Sequence, residues 1–414
     1  MIHLYKKLTQ IYHQIRRPLI HSAIYVSGTL LSGLVSLITF PILARLISVE
    51  DMGKYDFFIF MLLSATPFVS FGIEKGLGAF AYKMGIKTIQ NILKRILPLS
   101  ITSSILISIG VVLAKCVGQF QTFSYYLIFL WSLSLIALSS CYIIRAIYIW
   151  KQYPVKAAIL INGEWITASI LGLTFLLISH IYKIEVYLTG LAIAFIVFSF
   201  LSYKMWPAST SNAPEDYSAF PLSKILKISF PYGISQALFI VSLGIEKALL
   251  LKMLGPYQLG IYAMATKVGS IPKLIGMNII IGTIPELLQK QDIRKSLQCL
   301  MLFLLAYLIV ATTIIHFTSS LLIALFGGAN YKPAIPILSL AAFSESLTLF
   351  PWALNGLMLK RQKTIPILYY GITSTTITVC LGFFLINAYK IPGAIWATIF
   401  GKAIGISILL FTMR

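Results

Sequence analysis

Charged side chains inside long apolar segments are the residues of this sequence that could do chemistry. They are four lysines and three glutamates, namely Lys247, Lys267, Lys273, Lys402, Glu164, Glu246 and Glu345. A charge that faces hydrocarbon in the middle of a membrane span costs on the order of 2.5–3.5 kcal/mol. These side chains are therefore expected to face one another or a water-filled cavity. An ammonium-rich cavity would attract an anionic group such as a phosphate or pyrophosphate.

The depth of these charges follows from the rise of a helix, about 1.5 Å per residue. Lys267, Lys402 and Glu345 are expected roughly 13–18 Å from the outer ends of their segments, near the midplane. Glu246 and Glu164 are expected closer to an end. The alternative is internal ion pairing, for example between Glu246 and Lys267, but the charges lie on different segments and we favour a shared cavity.

Other chemistry leaves little trace in the sequence. Gly401 and Lys402 are followed by Ala403, and no glycine stands at the spacing of a phosphate-binding loop, so nucleotide hydrolysis is not expected. No metal-ligand spacing occurs among His3, His13, His21, His180 and His316. We predict no cofactor, no metal and no enzymatic activity.

The elements that carry the charges are membrane spans. The sequence is 58% hydrophobic and only 11% charged, which excludes a water-soluble domain of this length. Apolar segments of about 20 residues, enough to cross a bilayer, recur about twelve times. We place them at 22–44, 55–74, 96–114, 124–144, 157–179, 186–203, 228–251, 259–284, 298–325, 333–358, 364–387 and 391–412.

The net charge of +21 is distributed as in a membrane protein. Lysine and arginine collect in alternate connecting segments, which predicts that both termini are cytoplasmic. The charge forms no basic face with interleaved aromatic residues, so nucleic acid is not an expected partner. Residues 1–21 have apolar residues at helical spacing among basic ones, which predicts an interfacial helix.

The two halves of the chain look related. Residues 45–55 (RLISVEDMGKY) align without gaps to residues 252–262 (KMLGPYQLGIY), and Gly53 matches Gly260. The polar segment 204–220 reads as a linker. We therefore predict an all-α membrane protein with two six-helix bundles, residues 1–207 and 208–414, related as parallel repeats.

Three segments resemble the polysaccharide flippases of the Wzx type, a branch of the multidrug/oligosaccharidyl-lipid/polysaccharide (MOP) exporter superfamily that also contains the MATE transporters. These are FPILARLISVEDMGKYDFF (40–58), GIEKALLLKMLGPYQLGIYAMATKV (244–268) and ALFGGANYKPAIPILSLAAF (324–343). The sequence departs from the family in having Glu246 and Lys247 where an Asp-Arg pair is usual. The charge signs are kept, while the bidentate guanidinium contacts are lost.

The resemblance implies two bundles in a V shape around a cationic cavity. It implies a flippase that moves undecaprenyl-diphosphate-linked oligosaccharide from the cytoplasmic to the periplasmic leaflet of the bacterial inner membrane, as in O-antigen and lipopolysaccharide biosynthesis. Partners would be the membrane lipid, a polysaccharide polymerase and a chain-length regulator. We assign Lys247, Lys267 and Lys402 to substrate binding, and Arg45 and Lys273 to the cavity mouths. Glu246, Glu164 and Glu345 are candidates for coupling to an ion gradient.

Two other functions stay open at this point. A MATE-like antiporter of cationic drugs would need acidic and aromatic residues in its cavity, and the deep lysines argue against it. A membrane-embedded glycan polymerase or acyltransferase would need catalytic groups outside the membrane, and the outer connecting segments are short and poor in such residues.

Overall fold

The computed structural model describes residues 24, 27–28, 30–77, 86–150, 153–181, 183–205, 222–287, 293–360 and 365–412. The predicted interfacial helix at 1–21 and nearly all of the predicted linker lie outside these residues. All regular structure within them is helical. The helices are α1 (Leu30–Leu46), α2 (Val49–Val69), α3 (Ile73–Gly76), α4 (Ile86–Cys116), α5 (Tyr125–Trp150), α6 (Pro154–Ser179), α7 (Ile184–Lys204), α8 (Leu222–Ser242), α9 (Ile245–Gly269), α10 (Ile271–Leu287), α11 (Ile293–Phe326), α12 (Ile335–Ser346), α13 (Leu349–Lys360) and α14 (Ile365–Thr412), with a 3₁₀ helix at Ala329–Ala334.

At least one helix lies within each predicted span. The number of twelve spans stays a prediction. Eight helical segments among the described residues are long and apolar enough to cross a membrane, and α1 is a shorter apolar helix. α9 bends at Gly255 (φ 84°) before Pro256, and α14 bends at Lys390 (φ 56°) before Pro392. Each bend falls between two predicted spans. The chain is therefore an all-α, multi-pass membrane protein.

Four breaks between α-helices lie inside predicted spans. They are at Ser70–Gly72 between α2 and α3, at Leu243–Gly244 between α8 and α9, at Ser270 between α9 and α10, and at Leu347–Thr348 between α12 and α13. The side chains of Ser270 and Thr348 satisfy carbonyl groups freed at the breaks, those of Lys267 (2.7 Å) and Glu345 (2.5 Å). Non-helical backbone at this depth is tolerated where it is buried in protein or lines a cavity.

The packing separates central helices from peripheral ones. α5 buries most of its apolar window, whereas α4 and α11 leave most of theirs exposed, as expected for helices that face lipid. α2 packs along α8 and α9, and α3 packs on α8, so these contacts join the two sequence halves. The division into bundles 1–207 and 208–414 stays a prediction.

Glycines allow the backbones of the two halves to touch at two places. A Cβ atom on Gly260 would lie 1.8 Å from the carbonyl oxygen of Val49, and one on Gly53 would lie 2.2 Å from that of Pro256. Towards the other end of α2, a Cβ atom on Gly72 (φ +61°) would lie 2.3 Å from the amide nitrogen of Gly233. We call these the α2–α9 contact and the α2–α8 contact.

Candidate functional site

A cavity of about 540 Å³ lies between the two halves. One wall comes from α1, α2 and α6, and the other from α9, α10, α12 and the end of α11. Its lining is Ser32, Gly33, Ser36, Leu37, Phe40, Tyr55, Asp56, Ile59, Leu63, Trp165, Ser169, Lys247, Thr266, Lys267, Val268, Ser270, Ile271, Lys273, Leu274, Phe326 and Glu345.

The charges in this lining are three ammonium groups and two carboxylates. Lys247 on α9 donates to Asp56 on α2 at 2.8 Å, an ion pair that crosses between the halves. Lys273 on α10 pairs with Glu345 on α12. Both pairs stay partly exposed to the cavity. The formal surplus is one positive charge.

Lys267 carries that surplus. Its side chain is exposed, lines the cavity, and has no ion-pair partner among the described residues. Its ammonium nitrogen lies 5.7 Å from the ring centroid of Phe40, a distance at which a cation–π contact contributes modestly. The alternative pairing of Lys267 with Glu246 does not occur, so Lys267 is an ammonium group held in the cavity without a carboxylate.

The charged residues of the second half lie close to the helix breaks. Lys247 follows the break at Gly244, Lys267 and Lys273 flank the break at Ser270, and Glu345 precedes the break at Leu347. Non-helical backbone of this kind is tolerated where it is buried in protein or lines a water-filled space. Lys247, Lys267, Lys273 and Glu345 line the cavity beside these breaks.

Lys402 does not line this cavity. It is fully buried on α14 and donates to the carbonyl oxygen of Ser344 at 3.0 Å, with its hydroxyl at 3.4 Å. The negative charges that act on it are those of Glu345 and Glu246. Its placement in the cavity wall is thus corrected: α14 turns the ammonium group of Lys402 away from the cavity and towards Ser344 of α12.

Glu246 is also buried behind the wall, being 1% exposed. The Tyr262 hydroxyl donates to its Oε1 at 2.6 Å, and its Oε2 has no hydrogen-bond partner. Glu246 and Lys247 are neighbours in the sequence but face different surroundings. Lys247 faces the cavity and Glu246 faces the protein core.

Arg45 lies beyond one end of the cavity, where Phe40 and Phe326 form its lining. Its guanidinium donates to the carbonyl of Leu325 at 2.8 Å and approaches that of Ala324 at 3.5 Å. These are last-turn carbonyls of α11, which a cation stabilises. Arg45 thus joins the halves near a cavity end and does not line the cavity.

Glu164 lies outside the cavity, in a separate cluster with Arg145 and Glu74. Arg145 follows the predicted span 124–144, and it is 6% exposed near the end of α5. Sequence reasoning missed Asp56 and Glu74. Asp56 lies inside the predicted span 55–74, so its position within an apolar run could have revealed it.

The sequence and the structure were compared with those of known proteins. Comparison of the sequence with curated proteins finds no match. Among solved structures, a MOP superfamily transporter from Pyrococcus furiosus, described as having a binding pocket of reverse polarity, is 14% identical with a TM-score of 0.61, covering 96% of this chain and 94% of that one. A mutant of the MATE transporter VcmN from Vibrio cholerae is 13% identical with a TM-score of 0.64, covering 96% and 95%.

A structure described as the outward-facing form of a multidrug resistance MATE transporter is 14% identical with a TM-score of 0.62, covering 96% of this chain and 94% of that one. One described as an inward-facing form is 13% identical with a TM-score of 0.60, covering 95% of this chain and 100% of that one. At these identities the likeness shows the fold, which is that of the MOP superfamily transporters. A family model described as polysaccharide biosynthesis protein matches residues 21–291, and the chain therefore belongs to the polysaccharide biosynthesis protein family.

Proposed function

We propose that this protein is a flippase that moves undecaprenyl-diphosphate-linked oligosaccharide from the cytoplasmic to the periplasmic leaflet of the bacterial inner membrane. The transport cycle alternates access to the cavity between the two halves and is driven by an ion gradient. The observation that carries the proposal is the unpaired ammonium group of Lys267 inside that cavity. Membership of the polysaccharide biosynthesis family supports the choice of cargo.

The cavity suits a diphosphate for electrostatic reasons. Lys267 is available without breaking an ion pair, whereas Lys247 and Lys273 are held by carboxylates. A diphosphate carries more charge than either carboxylate and can displace Asp56 from Lys247 or Glu345 from Lys273. Charge-assisted bonds to an anion are the stronger ones in a cavity with apolar walls. Apolar lining residues such as Leu63 and Leu274 complete a surface for the adjoining lipid.

The test removes the ammonium group of Lys267. Lys267→Ala and Lys267→Arg would be expressed in a strain from which the gene for this protein is deleted, and surface polysaccharide and accumulated lipid-linked oligosaccharide would be measured. A charged hydrogen bond contributes about 1.5–3 kcal/mol, so Lys267→Ala should weaken binding by about 10- to 150-fold. Lys267→Arg should retain much of the surface polysaccharide.

The matched control is Lys252→Ala, which removes an exposed lysine of α9 from outside the cavity and should complement fully. Normal surface polysaccharide with Lys267→Ala, at equal protein levels, would refute the role of the cationic cavity. Cation and dye efflux from the same cells, without any effect on polysaccharide, would instead identify a MATE-like drug antiporter. The polymerase and the chain-length regulator as partners stay predictions.

A further inference from the structure

A second group of buried charges lies in the first half, outside the cavity. Arg145 on α5 donates to Oε2 of Glu74 through Nε at 2.9 Å and Nη2 at 2.8 Å. Its Nη1 lies 3.3 Å from Oε1 of Glu164 on α6. The guanidinium also stacks on the ring of Tyr142, with Cζ 3.4 Å from the centroid. Arg145 thus bonds mainly to Glu74 and only weakly to Glu164.

Glu164 is the less well compensated of the two carboxylates. It is 0% exposed, its contact with Arg145 is the longest of the three, and its Oε2 has no hydrogen-bond partner. An ionised carboxylate in an apolar interior needs donors for both oxygens or a fully committed cation. The weak thiol donor of Cys141 and the indole of Trp165 interact with Glu164, but its Oε2 has no hydrogen-bond partner among the described residues. The binding of one proton there would remove its charge.

We propose that Glu164 is the proton-binding site of the transport cycle, and that Arg145 transmits its state to Glu74. The proposal rests on the proposed function and names the ion that drives it. A sodium ion fits this place poorly, because the guanidinium lies against Oε1 and would repel it, and sodium needs several oxygen ligands. A proton needs only the free Oε2.

The other described groups that interact with Glu164 come from α5 and α3, together with the neighbouring Trp165 of α6. They are the thiol of Cys141, the hydroxyl of Tyr142, the guanidinium of Arg145 and the carboxylate of Glu74. On α7, the hydroxyl of Ser202 lies 3.5 Å from the sulfur of Cys141. Among the described residues, these groups include one formal positive charge, the guanidinium of Arg145, which makes two short bonds to Glu74.

The remaining coupling candidates have closer partners. Glu345 pairs with Lys273 in the cavity, and substrate would contact this pair directly. Glu246 accepts a hydrogen bond from Tyr262 and lies under the charge of the buried Lys402. Glu246 shares with Glu164 a buried place outside the cavity and an Oε2 without a hydrogen-bond partner. Glu164 is distinguished by the guanidinium of Arg145, which it shares with Glu74.

The cluster is connected to the contact between the halves. Glu74 follows Gly72 by two residues, and the backbone of Gly72 abuts Gly233 and Ser229 of α8 in the α2–α8 contact. With a proton on Glu164, Arg145 stays on Glu74 and holds α3 in place. When the proton leaves Oε2 for water, the ionised Glu164 competes for the guanidinium. That competition loosens α3 and with it the α2–α8 contact, which links proton release to movement of the halves.

The first experiment observes the proton without any substrate. Infrared difference spectra of the purified full-length protein would be recorded through a pH titration for wild type, Glu164→Gln and Glu50→Gln, the last removing an exposed carboxylate on α2. The wild type and Glu50→Gln should share a protonated-carboxyl band that disappears as pH rises, and Glu164→Gln should lack it. The same band in Glu164→Gln would overturn the proposal.

The second experiment measures coupling in vesicles that contain the full-length protein and a fluorescent polyprenyl diphosphate, with its leaflet distribution read by dithionite quenching. One coupled proton shifts that distribution by up to about tenfold per pH unit of gradient. Glu164→Gln mimics the protonated form that holds α3 in place, so it should show no such shift, while Glu50→Gln keeps it. An equal shift in wild type and Glu164→Gln, or a shift driven by a sodium gradient instead, would overturn the proton site. A wild type that does not move the probe would count against the proposed cargo, while the infrared band still decides the site.

Discussion

We predict that a side chain added at the α2–α9 contact will change which conformations the protein adopts. Gly260→Ala would place a Cβ atom 1.8 Å from the carbonyl oxygen of Val49 and 2.8 Å from its carbonyl carbon. An ordinary van der Waals contact begins at 3.4 Å, and the opposing atoms belong to backbone, which cannot rotate away. The two segments would therefore have to separate by roughly 1.5 Å.

The magnitude follows from the cost of overpacking, typically about 1–3 kcal/mol. At about 1.4 kcal/mol per factor of ten, conformations that contain this contact should lose about 5- to 150-fold in population relative to those in which the halves are apart. Any conformation without the contact is unaffected by the added methyl group. The substitution should therefore shift the equilibrium and leave the helices folded.

The assay is a distance distribution between spin labels at Glu50 and Tyr257, two exposed positions on either side of the contact. Gly260→Ala should move population from the short to the long distance. Gly110→Ala is the matched control, because a Cβ atom at Gly110 meets nothing within 4 Å. Identical distributions for wild type and Gly260→Ala, with unchanged thermal stability, would refute the reasoning, since the clash would then be relieved locally.

Two further substitutions separate structural charges from binding charges. Lys402→Met should lower the free energy of unfolding by on the order of 3 kcal/mol, because it leaves the buried carboxylate of Glu246 without its nearby cation. A thermal unfolding measurement checks this prediction. The control Lys252→Met, at an exposed site, should have little effect on stability. Asp56→Asn should release Lys247 into the cavity and tighten the binding of pyrophosphate by several-fold, as measured by calorimetry. Asp51→Asn, which breaks an ion pair with Lys54 away from the cavity, is its control. Weaker binding with Asp56→Asn would show that the ion pair positions Lys247 for the anion instead of competing with it.

The spans were predictable because the thickness of the bilayer sets their length and composition. The bends of α9 and α14 fall in the connecting segments between predicted spans, at the non-helical residues Gly255 and Lys390, which Pro256 and Pro392 follow. The depth predicted for each charge comes from counting residues along a helix, and it stays a prediction. Depth alone does not say in which direction a side chain points, and its function depends on that direction.

The direction in which a helix turns each side chain could not be predicted from one sequence. Lys267 and Lys402 have similar predicted depths, yet one is exposed in the cavity and the other is fully buried. Hydrophobic periodicity gives no direction when a helix is apolar on all sides. The partners of Lys247 and Arg145 were missed for the same reason, since Asp56 and Glu74 are remote from them in sequence.

The two-half alignment leads to the contact that the Gly260 experiment probes. An axis along the membrane normal that relates two parallel repeats must bring equivalent residues together wherever they lie near the axis. Gly53 and Gly260 are equivalent in the alignment of residues 45–55 with residues 252–262, and a Cβ atom on Gly53 would lie 2.9 Å from the amide nitrogen of Gly260. Both positions need glycine for one reason: each backbone occupies the space that the other's side chain would fill. Loss of either glycine should therefore open the same contact, and Gly53→Ala should shift the spin-label distances in the same direction as Gly260→Ala.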